Sequence, residues 1–323
     1  MTSIGLAEAS NFAVYATMVT LTFAMIAFAM SFSATRVAAP EGLPVAVPVG
    51  VPVGVPVGVG ATESLPERGA VGLAPGLRAA NIGMALTWLS FVLLLIGVTF
   101  RGLWAGRVPW GNMYEFSISS ALGILGVFLI WSLTRDLRWL GLFVVIPTLL
   151  TLGLAVTVLY TEAAQLVPAL KSYWLIIHVS AAIICAGAFT VAGATAGLSI
   201  ARSRAEIKGT AETGWTKNLP DAERLRILTY RIIAFSFPLW TFAVIAGAIW
   251  AENAWGRYWG WDPKETWAFI TWVVYAGYLH ARSTAGWRGD RASWIAILGL
   301  VAFLINYFGV NIFVNSLHSY SGV

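Results

Sequence analysis

Long apolar segments recur along most of the 323-residue chain, and short polar segments separate them. An α-helix of about twenty apolar residues spans the hydrocarbon core of a bilayer, which is about 30 Å thick. Segments of this kind are predicted at residues 11–33, 80–100, 115–134, 138–159, 172–201, 229–250, 264–281 and 293–314. The alternating pattern of a membrane β-barrel does not occur, so the backbone must satisfy its hydrogen bonds within helices. The pattern therefore predicts an all-α, polytopic integral membrane protein with about eight transmembrane helices.

The composition supports a membrane protein. Hydrophobic residues make up 58% of the chain and charged residues 11%, whereas about a quarter of a soluble domain is charged. The first segment has no basic stretch before it and no small-residue cleavage site after it, so residues 1–35 are predicted to remain as a first transmembrane helix. The single cysteine, Cys185, lies within an apolar segment, which excludes an internal disulfide and favours an ordinary buried side chain.

The positively charged residues predict the orientation of the helices, because cytoplasmic loops carry most of the Lys and Arg in membrane proteins. If the N terminus lies outside, the outer loops hold, of the 20 Lys and Arg residues, only Arg101, Arg107, Lys171, Arg257 and Lys264. The sequence therefore predicts an N-out, C-out topology, and the cell (plasma) membrane is the expected location. The basic pI of about 9.5 reflects this topology, and no nucleic-acid partner is expected.

Two inner connections have distinctive compositions. Residues 36–79 contain the repeat "VPVGVPVGVPVG", in which proline recurs at every fourth position and prevents a continuous helix. This segment is predicted to be a low-complexity cytoplasmic loop between the first helix and a seven-helix core at 80–323. Residues 203–228 are basic and polar and are interpreted as a solvated cytoplasmic connector, with binding to anionic lipid as the weaker alternative.

The loop between the sixth and seventh segments carries an unusual density of aromatic residues. In "WGRYWGWDPKETW", Asp262 is a predicted N-cap, Pro263 the first helical residue and Glu265 the partner that completes a capping box. The seventh helix should therefore begin at Pro263, and the preceding tryptophans, from Trp250 to Trp261, should lie in a loop. An aromatic belt at the membrane interface is one interpretation. The density within one loop, together with flexible Gly256 and Gly260, favours a platform for a flat ligand.

The chain has only three histidines. His178 and His318 are predicted to lie near the outer ends of their segments, close to the tryptophan-rich loop, whereas His280 lies towards the inner side. Two neutral imidazoles on either side of an aromatic slot are typical of bis-histidine haem ligation. Zinc is less suitable, because no carboxylate or thiolate completes a site with sound spacing. For His280, ordinary packing at a helix end remains an alternative.

These segments resemble a known family of membrane proteins. The stretch "WAENAWGRYWGWDPKETW" at 250–267 is similar to the tryptophan-rich WWD signature of the haem-handling proteins of cytochrome c maturation, in their CcsA/ResC-type branch of System II (named CcsB in actinobacteria). The likeness extends to "GNMYE", "WLIIHVS", "YLHAR" and "LHSY" and covers most of the chain from about residue 80.

The resemblance implies roles for individual residues. His178 and His318 would be the axial ligands of an outer haem site, and His280 would hold haem within the membrane. Arg257 and Lys264 are candidates for contacts with the haem propionates, and Asn112, Tyr114 and Glu115 for supporting the site. The haem-binding loop would consist of Trp250, Trp255, Gly256, Trp259, Gly260, Trp261, Asp262 and Trp267.

The resemblance also implies a function and partners. The chain would deliver haem b across the membrane and attach it to an apocytochrome c through the cysteines of a CxxCH segment, as a haem-lyase subunit without a catalytic nucleophile of its own. A ResB-type membrane protein would supply a second transmembrane histidine, and thioredoxin-like proteins would keep the substrate thiols reduced. Alternatives are a haem exporter or chaperone, a b-type electron-transfer cytochrome and a solute transporter.

Overall fold

The computed structural model describes residues 3–34, 75–163, 171–314 and 316–317. The described residues form an all-α protein without strands, which confirms the predicted fold class. The α-helices are α1 (Ser3–Ser33), α2 (Pro75–Ala105), α3 (Met113–Ser132), α4 (Gly141–Thr157), α5 (Tyr173–Ile207), α6 (Ala222–Trp255), α7 (Pro263–Ser283), α8 (Asp290–Leu304) and α9 (Val310–Phe313). Short 3-10 helices at Arg138–Leu140 and Trp215–Asn218 and a π-helical turn at Ile305–Gly309 complete the set.

Seven helical stretches in the described part of the chain are long and apolar enough to cross a membrane. They are Ile4–Ser33, Gly76–Ala105, Met113–Ser132, Arg138–Thr157, Tyr173–Ile207, Ala222–Trp255 and Asp290–Phe313. The remaining predicted span, 264–281, corresponds to α7. This helix has 21 residues but is too polar to be counted among the seven. A polytopic membrane protein is therefore confirmed, and the N-out, C-out topology stays a prediction.

Several helices extend beyond their predicted segments, among them α2 and α6. Helix α2 already begins at Pro75, inside the segment predicted as a loop up to residue 79; the rest of that loop, including its repeat, lies outside the described residues. Helix α6 continues to Trp255, so Trp250 and Trp255 are helical and only Trp259 and Trp261 lie in the loop. The Ala and Glu residues of "WAENAW" are strong helix formers, and the helix ends where Gly256 adopts a left-handed conformation.

The basic inner connector is more ordered than its composition suggests. Arg202 is buried and donates hydrogen bonds to the carbonyl oxygens of Ala211 at 2.7 Å and Thr216 at 2.9 Å. It also pairs with the carboxylates of Glu206 and Glu212. The connector after α5 therefore folds around one buried guanidinium, and the prediction of a plain solvated connector is wrong for this part.

Helix α5 lies at the centre of the bundle and packs against α3, α6 and α8. It lies close to α3 where Gly187 faces Gly123, because a Cβ at Gly187 would lie 2.6 Å from the Gly123 carbonyl oxygen. Small residues of this kind let transmembrane helices approach closely. The N-terminal ends of α3, α5 and α7 lie at the same end of the bundle as the end of α6 and the π-helical turn. We call this end the outer end, after the predicted topology.

Candidate functional site

Several of the predicted ligand-binding residues line one cavity at the outer end of the bundle. The volume that the centre of a water molecule can occupy inside the cavity is about 170 Å³. By the same measure, a single bound water needs only about 10–15 Å³. Residues of α3, α5, α6, α7 and the α8–α9 segment form its walls. Apolar side chains line its inner part, among them Trp240, Val244, Ala268 and Phe303. A partly open, concave space with apolar walls and a few polar groups is typical of a small-molecule site.

His178 lies in the wall of this cavity, in the second turn of α5. Its Nδ1 lies 2.7 Å from the carbonyl oxygen of Ala243 on α6. A carbonyl oxygen only accepts hydrogen bonds, so Nδ1 must carry the proton, and in the neutral ring the lone pair resides on Nε2. Nε2 has no hydrogen-bond partner among the described residues. The imidazole is therefore fixed in the tautomer that binds a metal through Nε2.

The surface of α6 is shaped to hold this ring. A Cβ at Gly247 would lie 2.8 Å from His178 Nδ1, so only glycine leaves room for the imidazole at this position. The indole of Trp250 stacks on the imidazole, with the ring centroids 6.2 Å apart and the planes inclined by 20°. One turn of α6 on either side of Gly247 thus supplies both the hydrogen-bond acceptor, Ala243, and the stacking partner.

The predicted capping box at the start of α7 is confirmed. The Asp262 side chain caps the helix, and the Glu265 carboxylate accepts a hydrogen bond from the Asp262 N–H at 3.1 Å. Glu265 also accepts from the Gly260 N–H at 2.8 Å and forms an ion pair with Arg257 at 3.0 Å. A single buried carboxylate therefore joins three points of the loop before α7.

The backbone of this loop is tightly constrained. Gly256 ends α6 with a φ of 69°, and Trp261 has a φ of 58°, which is unusual for a bulky residue. A non-glycine residue in this conformation costs about 1–3 kcal/mol and persists only when its surroundings hold it. Gly260 does not leave open space for a flat ligand. The guanidinium of Arg257 occupies the space in which a side chain at position 260 would lie.

Only part of the tryptophan-rich signature lines the cavity. Among the described residues of 250–267, the walls contain Trp250, Ala251, Tyr258, Trp259, Lys264 and Glu265. Trp255 packs against Trp250 at 5.0 Å, and the exposed Trp261 contacts Trp259 edge-on at 5.7 Å. Trp267, on α7, is half-buried and is not part of the wall. The signature therefore contributes a few wall residues, and others support them from behind.

The two candidate cationic contacts differ in their surroundings. The side chain of Lys264 belongs to the cavity wall and forms no salt bridge with a described residue. Arg257 is outside the wall, where Glu265 holds its guanidinium. Of the two, the geometry favours Lys264 as the group that meets an anionic ligand.

The three predicted supporting residues at the start of α3 also differ in their surroundings. Asn112 lines the cavity and caps α3 by accepting the Glu115 N–H at 2.8 Å. Tyr114 points away from the cavity, where the guanidinium of Arg101 lies 5.0 Å from the centre of its ring. Glu115 is fully buried and pairs with Arg101 at 3.1 Å and with Arg107 at 2.7 Å. Only Asn112 is therefore placed to touch a ligand.

Sequence reasoning missed the polar contribution of the last transmembrane segment. Asn306 lines the cavity with 5% of its surface exposed, and its Oδ1 has no hydrogen-bond partner among the described residues. It lies in the π-helical turn, a distortion that is frequent at functional sites. Asn311, one further turn on, also lines the wall. A polar residue inside an apolar span is costly, and this signal in the sequence could have identified Asn306.

The other two histidines lie elsewhere. The imidazole of His280 is exposed near the inner end of α7, and a Cβ at the neighbouring Gly277 would meet no atom within 4 Å. The helix surface at Gly277, beside His280, is therefore open. His318 lies outside the described residues; its predecessor in sequence, Leu317, donates its N–H to Asp262 Oδ1 at 3.0 Å.

Comparison with known proteins identifies relatives across most of the chain. Residues 110–318 match the family described as "Cytochrome C assembly protein". A protein named "Cytochrome c biogenesis protein CcsA" from Guillardia theta is 37% identical over 256 residues, which cover 74% of this chain and 85% of the relative. Proteins of the same name are 38% identical in Prochlorococcus marinus (71% of this chain, 80% of the relative) and 36% identical in Microcystis aeruginosa (78% and 89%).

A solved structure shares the fold. The structure named "Cytochrome c Heme Lyase CcmF" superposes with a TM-score of 0.61 and 15% sequence identity. The alignment covers 95% of this chain and 47% of the solved chain, so this chain spans about half the length of that protein. At this identity the likeness shows a common arrangement of helices.

Proposed function

The chain belongs to the cytochrome c assembly protein family, and from this premise we propose that it delivers haem b to the outer face of the plasma membrane for attachment to apocytochrome c. The thiol of each cysteine in a CxxCH segment adds across a haem vinyl group. The S–H bond and the C=C π bond break, while a C–S and a C–H bond form, so the addition needs no oxidant. Because the substrate supplies the nucleophiles, this chain contributes binding, orientation and shielding from water.

The observation that carries the proposal is the placement of His178. Its Nε2 lone pair lies in an aromatic-walled cavity, and a backbone carbonyl fixes the tautomer. Hydrogen bonding of Nδ1 to a carbonyl is the usual support for a histidine that ligates a metal. The wall tryptophans Trp250 and Trp259 suit the flat face of a tetrapyrrole, and Lys264 suits a propionate. We propose His318 as the second outer ligand, since Asp262 holds the preceding residue of the tail.

The proposal assigns His280 to a separate inner site. Its imidazole is exposed on the surface of α7 beside an open glycine position. A ligand at this position is accessible to a second protein, and a ResB-type membrane partner would complete the coordination with its own histidine. Haem would then pass outward from this site to the cavity at His178.

The experiment that tests the function uses a reporter with one CxxCH segment, expressed with this chain and a ResB-type partner. Covalent haem on the reporter is detected after denaturing electrophoresis. We expect stained reporter when both proteins are present and none when this chain is omitted. Haem bound by the complex without covalent haem on the reporter would instead support a haem chaperone or exporter.

Replacing Gly247 by alanine is expected to weaken haem binding about tenfold, in the range caused by loss of a residue that orients a metal ligand. The added methyl group would lie 2.8 Å from His178 Nδ1 and would displace the ring from the Ala243 carbonyl. Haem content per protein is measured as the pyridine haemochrome. The matched control is Gly197→Ala on α5, where a Cβ meets nothing within 4 Å. Equal haem contents in the two variants would contradict the proposed role of His178.

Replacing His280 by alanine is expected to reduce haem uptake in cells but not haem binding in the outer cavity. In cells, haem loading of the complex should fall about tenfold, because a ligand of the inner site is lost. Haem added to the purified protein in detergent should still bind, since the cavity at His178 is unchanged. Loading in cells and reconstitution in detergent are both followed by absorption spectroscopy. Normal loading in cells would show that His280 does not hold haem in transit.

A further inference from the structure

Two outer loops of the protein are built on the same local plan. In "RVPWGNMYE" at 107–115 and "RYWGWDPKE" at 257–265, an arginine precedes a glutamate by eight residues, and an Asn or Asp lies three residues before the glutamate. The first stretch leads into α3 and the second into α7. Only the second is part of the tryptophan-rich signature from which the haem site was predicted.

The side chains of the two stretches make corresponding contacts. Glu115 pairs with Arg107 at 2.7 Å, as Glu265 pairs with Arg257 at 3.0 Å. Each glutamate also accepts the N–H of a glycine in its loop, Gly111 at 2.7 Å and Gly260 at 2.8 Å. Asn112 and Asp262 cap the helices that follow. Both loops are thus held against the start of their helix by one buried carboxylate.

Each loop also places one tryptophan in the wall of the cavity. These are Trp110, two residues before its N-cap, and Trp259, three residues before its N-cap. Neither indole N–H has a hydrogen-bond partner in the part of the chain that the structure describes. Trp110 further packs on the cluster of Leu175, Val179 and Trp250 that adjoins His178. The cavity therefore has an aromatic residue from each of the two corresponding loops.

We propose that residues 107–115 form a second wall of the ligand site, in which Trp110 contacts the tetrapyrrole and the Glu115–Arg107 pair positions it. This inference rests on the proposed function, because the flat ligand is the haem of that proposal. Two aromatic side chains from separate, rigid loops can contact a planar ring system without a conformational change of either loop. Asn112, at the end of the first loop, adds a polar group beside Trp110.

The test is a titration of the purified full-length protein with haem, followed by absorption. Trp110→Ala and Trp259→Ala are each expected to raise the Kd about two- to tenfold, the effect of losing one aromatic contact. Trp88→Ala on α2, outside the cavity wall, serves as the control and should leave the Kd unchanged. If Trp259→Ala raises the Kd and Trp110→Ala does not, the second wall is wrong while the proposed function stands. If the wild-type protein binds no haem, the proposed function itself fails.

A double-mutant cycle tests the positioning role. Arg107→Gln removes one partner of Glu115 but keeps the fully buried Arg101–Glu115 pair, so the fold should persist. We expect this substitution to raise the Kd for haem in the wild-type background and to have no further effect when Trp110 is already alanine. An equal rise in both backgrounds would show that Arg107 acts on the ligand or the fold independently of Trp110, and would overturn the positioning role.

Discussion

Replacement of His178 by alanine is expected to lower the haem content of the purified protein at least tenfold. The substitution removes the only imidazole that the described residues place in the cavity, and loss of supporting residues alone costs about 10–100-fold in metal binding. It also leaves a space between Gly247 and Trp250 of the size of the lost ring. Added imidazole should fill this space and restore the absorption spectrum of six-coordinate haem.

The matched comparison for this variant is His280→Ala titrated with haem in detergent. The two substitutions remove the same side chain, but only His178 lies in the outer cavity. We expect the His178 variant to lose affinity and to recover it with imidazole, and the His280 variant to bind as the wild type does. Unchanged affinity of the His178 variant would show that another group ligates the iron.

Replacement of Glu265 by alanine is expected to release the loop before α7 and to destabilise it by about 3 kcal/mol. Breaking a buried ion pair by removal of one partner costs about 3–5 kcal/mol, and partial exposure of Arg257 reduces this amount. The Gly260 and Asp262 N–H groups lose their acceptor in the same step. The left-handed backbone of Trp261 would then lose the contacts that hold it.

Hydrogen exchange of the loop amides measures this effect directly. In the wild-type protein, the amides of residues 260 and 262 should exchange slowly, and in the variant they should exchange more than about a hundredfold faster, since each 1.4 kcal/mol corresponds to a factor of ten. Glu252→Ala, on the last turns of α6, removes a carboxylate for which the described residues provide no partner and serves as the control. Equal protection in wild type and Glu265→Ala would show that the carboxylate does not organise the loop.

Local sequence signals predicted the parts of the site that depend on short-range chemistry. Asp262, Pro263 and Glu265 form the expected capping box because such a box is complete within four residues. The apolar segments likewise located the helices, since each must cross the membrane on its own. The end of α6 was predicted too early because hydropathy stops at Trp250, whereas helix propensity continues to Trp255.

Contacts between distant elements could not be predicted in this way. The fit of His178 against Gly247 and Ala243 depends on how α5 packs on α6, 65 residues away along the chain. Arg257 was expected to contact a ligand, but it pairs with Glu265. This pairing depends on the fold of the loop around Gly260. The sequence does signal Asn306 as a polar residue in an apolar span, but its place in the cavity wall depends on a π-helical turn that no local pattern indicated.

The absorption spectrum of the wild-type protein, purified with a ResB-type partner from cells that make haem, tests the central claim most directly. The account predicts a low-spin, six-coordinate haem with two histidine ligands, whose Soret and visible bands change in the His178→Ala variant and return with imidazole. A purified complex without haem, or a haem spectrum that is identical in wild type and His178→Ala, would contradict it.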